Sequence, residues 1–197
     1  MAGKIVGFFG FQRSGKTLLA SILAEHLRQT HEIPVYTNMS VENWTSIKSI
    51  SDIPFDFEPK TVLVDEIYFS LDSRAWKDNT SSSIFLNTIG KQNILFMYTA
   101  ISPDMVEMRL REQTELIFIA KNITEEFIEY MVIDTYRKTS NSILLKKNEN
   151  VFNYVKYDTL QVPNLVKFDI DYKKFFKLED EKENDTKWNS KLKKATW

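Results

Sequence analysis

Up to about residue 125 the apolar residues of this chain fall into short unbroken runs, with segments of helical period between them. The runs are Ile5-Val6-Gly7-Phe8-Phe9, Val35-Tyr36-Thr37, Thr61-Val62-Leu63-Val64, Ile94-Leu95-Phe96-Met97-Tyr98 and Leu116-Ile117-Phe118-Ile119. Continuous β-branched and aromatic runs of that length predict strands covered on both faces of a parallel sheet. Between the first two, Leu18, Leu19, Ile22, Leu23 and Leu27 recur at helical spacing and predict a helix from about Gly15 to Gln29. Residues 40–60 are polar, have no clean period, and read as a connection with a helical turn around Val41–Ser46. The polar stretch Asp78–Ser83 reads as a loop whose last residues cap a helix over Ile84–Ile89, and Pro103-Asp104 opens a helix through about Arg111. Strands alternating with helices imply a doubly wound α/β sheet with helices on both faces.

Beyond residue 125 the pattern changes. Residues 127–136, 142–145 and 151–155 read as three successive strands, with the turn clusters Lys138–Asn141 and Lys147–Asn150 between them. They predict an antiparallel extension of the sheet over residues 126–160, added to a core of residues 1–125 within one domain of residues 1–178. From Glu179 to Trp197 the mixed charges leave little to bury and predict a solvated tail.

Composition narrows the function classes. The net charge of −1 gives no global attraction to nucleic acid or anionic membrane, so any DNA contact must come from a local patch or from several subunits acting together. With no cysteine, disulfides and thiolate metal sites are excluded. No apolar run reaches the length of a membrane span and no signal-peptide pattern opens the chain, so the expected location is cytoplasmic, in a host cytoplasm if the protein is viral.

The chemistry starts at Gly10-Phe11-Gln12-Arg13-Ser14-Gly15-Lys16-Thr17, between the first predicted strand and the first predicted helix. A phosphate-binding loop requires that context. Gly10 and Gly15 permit the turn that points successive N–H groups of the loop, Gln12, Arg13 and Ser14 included, at phosphate oxygens. Lys16 reaches the outer phosphates as a point charge, and the Thr17 hydroxyl suits Mg²⁺. The loop predicts binding of a nucleoside triphosphate, ATP with Mg²⁺. The run Val62-Leu63-Val64 then ends in Asp65-Glu66. A carboxylate at that strand tip lies across from Thr17 and holds the metal, the role assigned to Asp65. Glu66 is the candidate general base for the attacking water. The acidic pair favours hydrolysis over small-molecule phosphorylation.

These motifs, together with Val35-Tyr36-Thr37-Asn38, Leu71-Asp72-Ser73-Arg74, Met108-Arg109-Leu110-Arg111 and Tyr157-Asp158-Thr159, resemble the FtsK/HerA superfamily over roughly residues 4–160. More narrowly, the chain is similar to the small viral and plasmid ATPases that package or pump DNA, and to the related Zot-like ATPases of filamentous phages. The resemblance implies a P-loop NTPase of the RecA/FtsK type, mostly parallel in its sheet. It further implies a ring, commonly a hexamer, that translocates double-stranded DNA, with a portal or capsid protein as a further partner. That family often carries a polar sensor, typically Gln, after the fourth strand. Here the position offers Thr99 followed by apolar residues, so either Thr99 serves as a weak γ-phosphate sensor or coupling is altered.

Arg74, Arg109 and Arg111 are the candidates for a finger reaching a neighbour's nucleotide, each weighed against an ordinary surface ion pair. Trp76 with Lys77 is either a stacking contact for DNA or packing. His26 and His31 lack ligand-spaced neighbours and read as surface residues. Three rival functions remain: a Zot-like assembly or export ATPase, a nucleotide or metabolite kinase, and a nucleotide-binding switch that does not hydrolyse.

Overall fold

In the computed structural model, residues 3–71, 80–156 and 161–169 are described. One sheet of eight strands runs through them in the order β3-β2-β4-β5-β1-β6-β7-β8. The strands are β1 (Lys4–Phe9), β2 (Val35–Thr37), β3 (Thr45–Ser46), β4 (Lys60–Val64), β5 (Ile94–Ala100), β6 (Leu116–Ile123), β7 (Phe127–Asp134) and β8 (Thr139–Lys146). All neighbours from β3 to β6 pair parallel, and β7 and β8 add antiparallel. β1 lies between β5 and β6, with Phe8 opposite both Thr99 and Phe118.

Alternation along β1 divides the core into two layers. Ile5 and Phe9 face one side, where Val62, Val64, Phe96 and Tyr98 meet Phe85, Leu86 and Ile89 of helix α2 (Thr80–Thr88) and its end. Val6 and Phe8 face the other, where Leu63 and Met97 meet Leu18, Leu19, Ala20 and Ala24 of helix α1 (Lys16–His31). β4 is buried along its whole length, as an apolar run in a doubly covered sheet should be.

Four local expectations are corrected. The residues around Val41–Ser46 make no helical turn. Asn43 takes a positive φ and Thr45–Ser46 pair parallel to β2, after which a 3₁₀ turn at Ile50–Asp52 is closed by a Ser49–Asp52 capping box. Helix α2 starts at Thr80 rather than after the serines, and Ser82 is buried in its first turn. Packing of Phe85 edge-on against Phe96 outweighs the capping preference of the serines. The single helix expected over 103–111 is broken. A 3₁₀ turn, Pro103–Met105, gives way to extended Val106, which is buried in the core, and Glu107 then caps α3 (Met108–Glu112). Residues 151–155, expected as a third strand of the extension, are mostly helix α4 (Glu149–Tyr154). The Asn148 side chain accepts the Val151 N–H at 2.9 Å and starts the helix before a strand can form.

Candidate nucleotide site

The loop between β1 and α1 is shaped by its two glycines. Gly10 has φ 149° and Gly15 has φ 90°. A Cβ at Gly10 would meet Ser14 Oγ at 2.6 Å, and one at Gly15 would meet Ile128 Cδ1 at 2.6 Å and Tyr130 Oη at 2.7 Å. Both glycines are therefore required by conformation and by space. Phe11, Gln12 and Arg13 form the exposed tip, and Arg13 also takes a positive φ, of 60°. Ser14 is buried, and its hydroxyl has no partner.

Lys16 is the first residue of α1 and is buried. Its Nζ donates to the Phe11 carbonyl at 3.0 Å, so the ammonium lies under the loop. Burial lowers its pKa, and the carboxylates of Glu66 and then Asp65 oppose that shift. Thr17, one residue on, donates from Oγ1 to Asp65 Oδ1 at 2.7 Å. The phosphate loop and the acidic strand tip are therefore in direct contact, as the sequence predicted.

Asp65 follows the end of β4. The same oxygen, Oδ1, also accepts from Thr99 Oγ1 at 2.7 Å, and Thr99 Oγ1 in turn accepts the Glu66 N–H at 2.9 Å. The fully buried Thr99 hydroxyl thus joins the two acidic residues. Its proton goes to Asp65, so it orients the Asp65 carboxylate and the Glu66 backbone rather than offering a proton to a phosphate. Glu66 adopts a left-handed backbone (φ 52°, ψ 53°) at the start of a 3₁₀ turn. Its Oε2 is buried with no hydrogen-bond partner among the described residues. Burial raises the pKa of Tyr68, and a hydrogen bond to the Glu66 side chain raises it further.

A hydroxyl and one carboxylate oxygen facing the end of a phosphate loop suit a hard divalent cation that keeps most of its water. Among the described residues no group of three His, Cys, Asp or Glu could form a closed metal cage. Thr17 and Asp65 are accordingly the candidate metal holders.

The arginines are elsewhere. Arg109, on α3, donates to Ser83 Oγ and is exposed; Arg111 donates to Asp104 Oδ1 at 3.1 Å. Neither reaches this chain's own phosphate loop through those contacts. Arg74 lies outside the described residues, as do Asp72, Ser73, Trp76, Lys77, Tyr157–Thr159 and the tail from residue 170. His26 and His31 are exposed on α1.

Two residues at the site were given no role from the sequence, although Asn38 ends one of the motifs that carry the resemblance. Tyr130, on β7, donates to the Gly15 carbonyl at 2.9 Å and supports the phosphate loop from the antiparallel extension. Asn38, just past β2, bonds to the Asp65 backbone with its side-chain amide. A Tyr in an alternating strand and an Asn after a short strand carry no local signal of contact with residues so distant in sequence.

The class defined by this fold and site is the P-loop NTPases. The chain is similar in structure to the N-terminal domain of zonular occludens toxin from Neisseria meningitidis, with a TM-score of 0.58, 15% identity, 80% of this chain covered and 100% of that chain. It is also similar to the genome packaging NTPase B204 of Sulfolobus turreted icosahedral virus 2, solved in complex with ATP-gammaS (TM-score 0.56, 13% identity, 71% of this chain and 96% of that one). A third likeness is to the flagellar accessory protein FlaH from Methanocaldococcus jannaschii (TM-score 0.53, 11% identity, 80% and 90%). These structures share the fold expected from the motif resemblance. No protein-family model and no curated protein sequence matches the chain.

Proposed function

We propose that this protein is an ATP-hydrolysing motor that acts on double-stranded DNA as a homo-oligomeric ring, a hexamer by the motif resemblance, in the cytoplasm. The observation that carries the hydrolytic part is the joined set Thr17, Asp65, Thr99 and Glu66, in which one carboxylate is held by two hydroxyls and the next is left with a buried free oxygen. The likeness to a packaging NTPase solved with an ATP analogue supports ATP as the nucleotide and DNA as the polymer moved.

In this reading Gly10, whose own N–H is held by the Ile101 carbonyl, and Gly15 supply the turn, and the loop N–H groups from Gln12 through Thr17 hold the phosphates. Lys16 leaves the Phe11 carbonyl and pairs with the outer phosphates, an exchange that ends the unfavourable burial of its charge. Thr17 and Asp65 would hold Mg²⁺, which would supply neutralisation of phosphate charge. Glu66 accepts a proton from the water that attacks the γ-phosphorus as the bond to the bridging oxygen breaks and ADP leaves. Arg74, Arg109 or Arg111 is supplied by a neighbouring subunit to the transferring phosphoryl group. The exposure of Arg109 on α3 supports its candidacy, while Arg111 is half-buried. A portal or capsid protein is the expected docking partner for a packaging motor.

A second reading, an assembly or export ATPase, is favoured by the coverage of the whole zonular occludens toxin domain. No helix among the described residues is long and apolar enough to cross a membrane. ATP turnover measured with and without double-stranded DNA separates the two. Stimulation by DNA supports the motor, while turnover indifferent to DNA supports the export reading. Absence of turnover at any protein concentration overturns both.

A further inference from the structure

β2 and β4 pair in register only as far as Thr37 opposite Leu63. The next pair of β4-side backbone groups that points toward β2 belongs to Asp65, two residues on, and β2 has no strand left to meet them. The Asn38 side chain takes that place. Its Oδ1 accepts the Asp65 N–H at 2.8 Å and its Nδ2 donates to the Asp65 carbonyl at 2.9 Å. One amide thus imitates the missing rung, and Asn38 is almost wholly buried while doing so.

The second Nδ2 proton goes to the Asn164 carbonyl at 3.0 Å, and the Asn38 carbonyl accepts the Asn164 N–H at 3.0 Å. Asn164 belongs to the strap of residues 161–169, which lies beside residues 38–51. The strap is anchored on the core: Val166 is buried, and its N–H donates to Ser70 Oγ at 2.9 Å. Lys167 exchanges backbone hydrogen bonds with Lys48 and Ile50, and Phe168 lies edge-on to Phe85.

We infer that Asn38 is a positioning residue that fixes Asp65 in register for the metal, and that the strap sets Asn38 in turn. The inference rests on the reading of Asp65 as a metal carboxylate. Only an amide supplies one acceptor and two donors in this arrangement. Aspartate has the same shape but cannot donate, and would place its charge against the Asp65 and Asn164 carbonyls. Outer partners of metal ligands commonly contribute about 10- to 100-fold in metal affinity.

The test is calorimetric binding of a non-hydrolysable ATP analogue to the full chain, with Mg²⁺ titrated and with EDTA, in wild type, Asn38→Asp, Asn38→Ala and Val166→Ala. Both Asn38 variants should need about 10-fold or more additional Mg²⁺ for half-maximal binding, and bind the metal-free nucleotide within about twofold of wild type. Val166→Ala, which loosens the strap and leaves Asn38 in place, should shift the Mg²⁺ requirement in the same direction by less. A wild-type Mg²⁺ requirement in folded Asn38→Asp overturns the positioning role. An unchanged requirement in Val166→Ala overturns the part assigned to the strap. Wild type that binds no nucleotide with or without Mg²⁺ overturns the nucleotide-site reading itself, which is a different result from either.

Discussion

Asp65 and Glu66 are neighbours in sequence with opposite surroundings, and their roles divide accordingly. Asp65 Oδ1 accepts from Thr17 and Thr99, while Glu66 meets Tyr68 and keeps one buried oxygen with no partner among the described residues. Glu66→Gln should therefore keep nucleotide and Mg²⁺ binding and lower the ATPase rate by about 10²- to 10⁴-fold, the range of general-base contributions. Asp65→Asn should weaken Mg²⁺ binding first, and turnover with it. Steady-state ATPase rates beside Mg²⁺ titrations check the assignment, and the opposite pattern would exchange the two roles.

A second carboxylate matters for stability rather than chemistry. Glu25, buried on α1, accepts from Arg28, Gln29 and Trp44 Nε1. The Arg28 hydrogen bond is the largest cause of a pKa lowered to about 2; burial works the other way, and the Trp44 and Gln29 bonds add to the lowering. A depressed folded-state pKa means that the contribution is complete above the unfolded value of 4.5 and is lost as pH falls toward about 2. Glu25→Ala should lower stability at neutral pH by about 1.5–3 kcal/mol, the range for hydrogen bonds to a charged group, and the difference from wild type should close in acid. Urea unfolding across that pH range measures it.

Among the elements, the β6–β7–β8 extension has a direct part in the site. β7 brings Ile128 and Tyr130 beneath Gly15, and the Tyr130 hydroxyl shares the Gly15 carbonyl with the Leu19 N–H of α1. The extension thus holds the phosphate loop as well as widening the sheet. Tyr130→Phe keeps the packing and removes one hydrogen bond worth about 1 kcal/mol. It should weaken nucleotide binding about fivefold with the fold intact, as fluorescence of a labelled ATP analogue and circular dichroism would report. The element-level errors of sequence reading share one cause. The start of the helix over Ile84–Ile89, the 103–111 helix and the 151–155 strand rest on serine caps, a Pro-Asp opening and a run of apolar residues, in segments too short for a local signal to decide. The Val106 position in the core and the Asn148 cap decided those segments instead.

For the whole molecule, charge and site geometry point the same way. A chain of net charge −1 has little basic surface with which to hold DNA alone, and Arg109 and Arg111 are occupied with Ser83 and Asp104 rather than with the chain's own phosphate loop. The proposed ring would meet both needs, multiplying weak phosphate contacts and bringing a neighbour's arginine to each site. Specific ATPase activity should therefore rise with protein concentration and with added DNA, and salt should suppress the DNA effect. Mixing Lys16→Ala subunits with an arginine-finger variant should restore some activity. Activity that stays flat on dilution of a species that light scattering finds monomeric with ATP and DNA present would remove the ring.

The sequence by itself determined the strand-loop-helix that carries Gly10 to Thr17, the buried strand ending in Asp65-Glu66, and the parallel core around them. Each is written in residues adjacent in the chain, where glycine conformation, apolar runs and charge act locally. The tertiary structure alone decided what those groups touch. The Thr99 bridge, the Asn38 amide that stands in for a missing rung, the Tyr130 support and the strap at 161–169 all join residues far apart in sequence. A hydrogen bond across a sheet depends on strand order and register, and neither is set by the residues of any one segment.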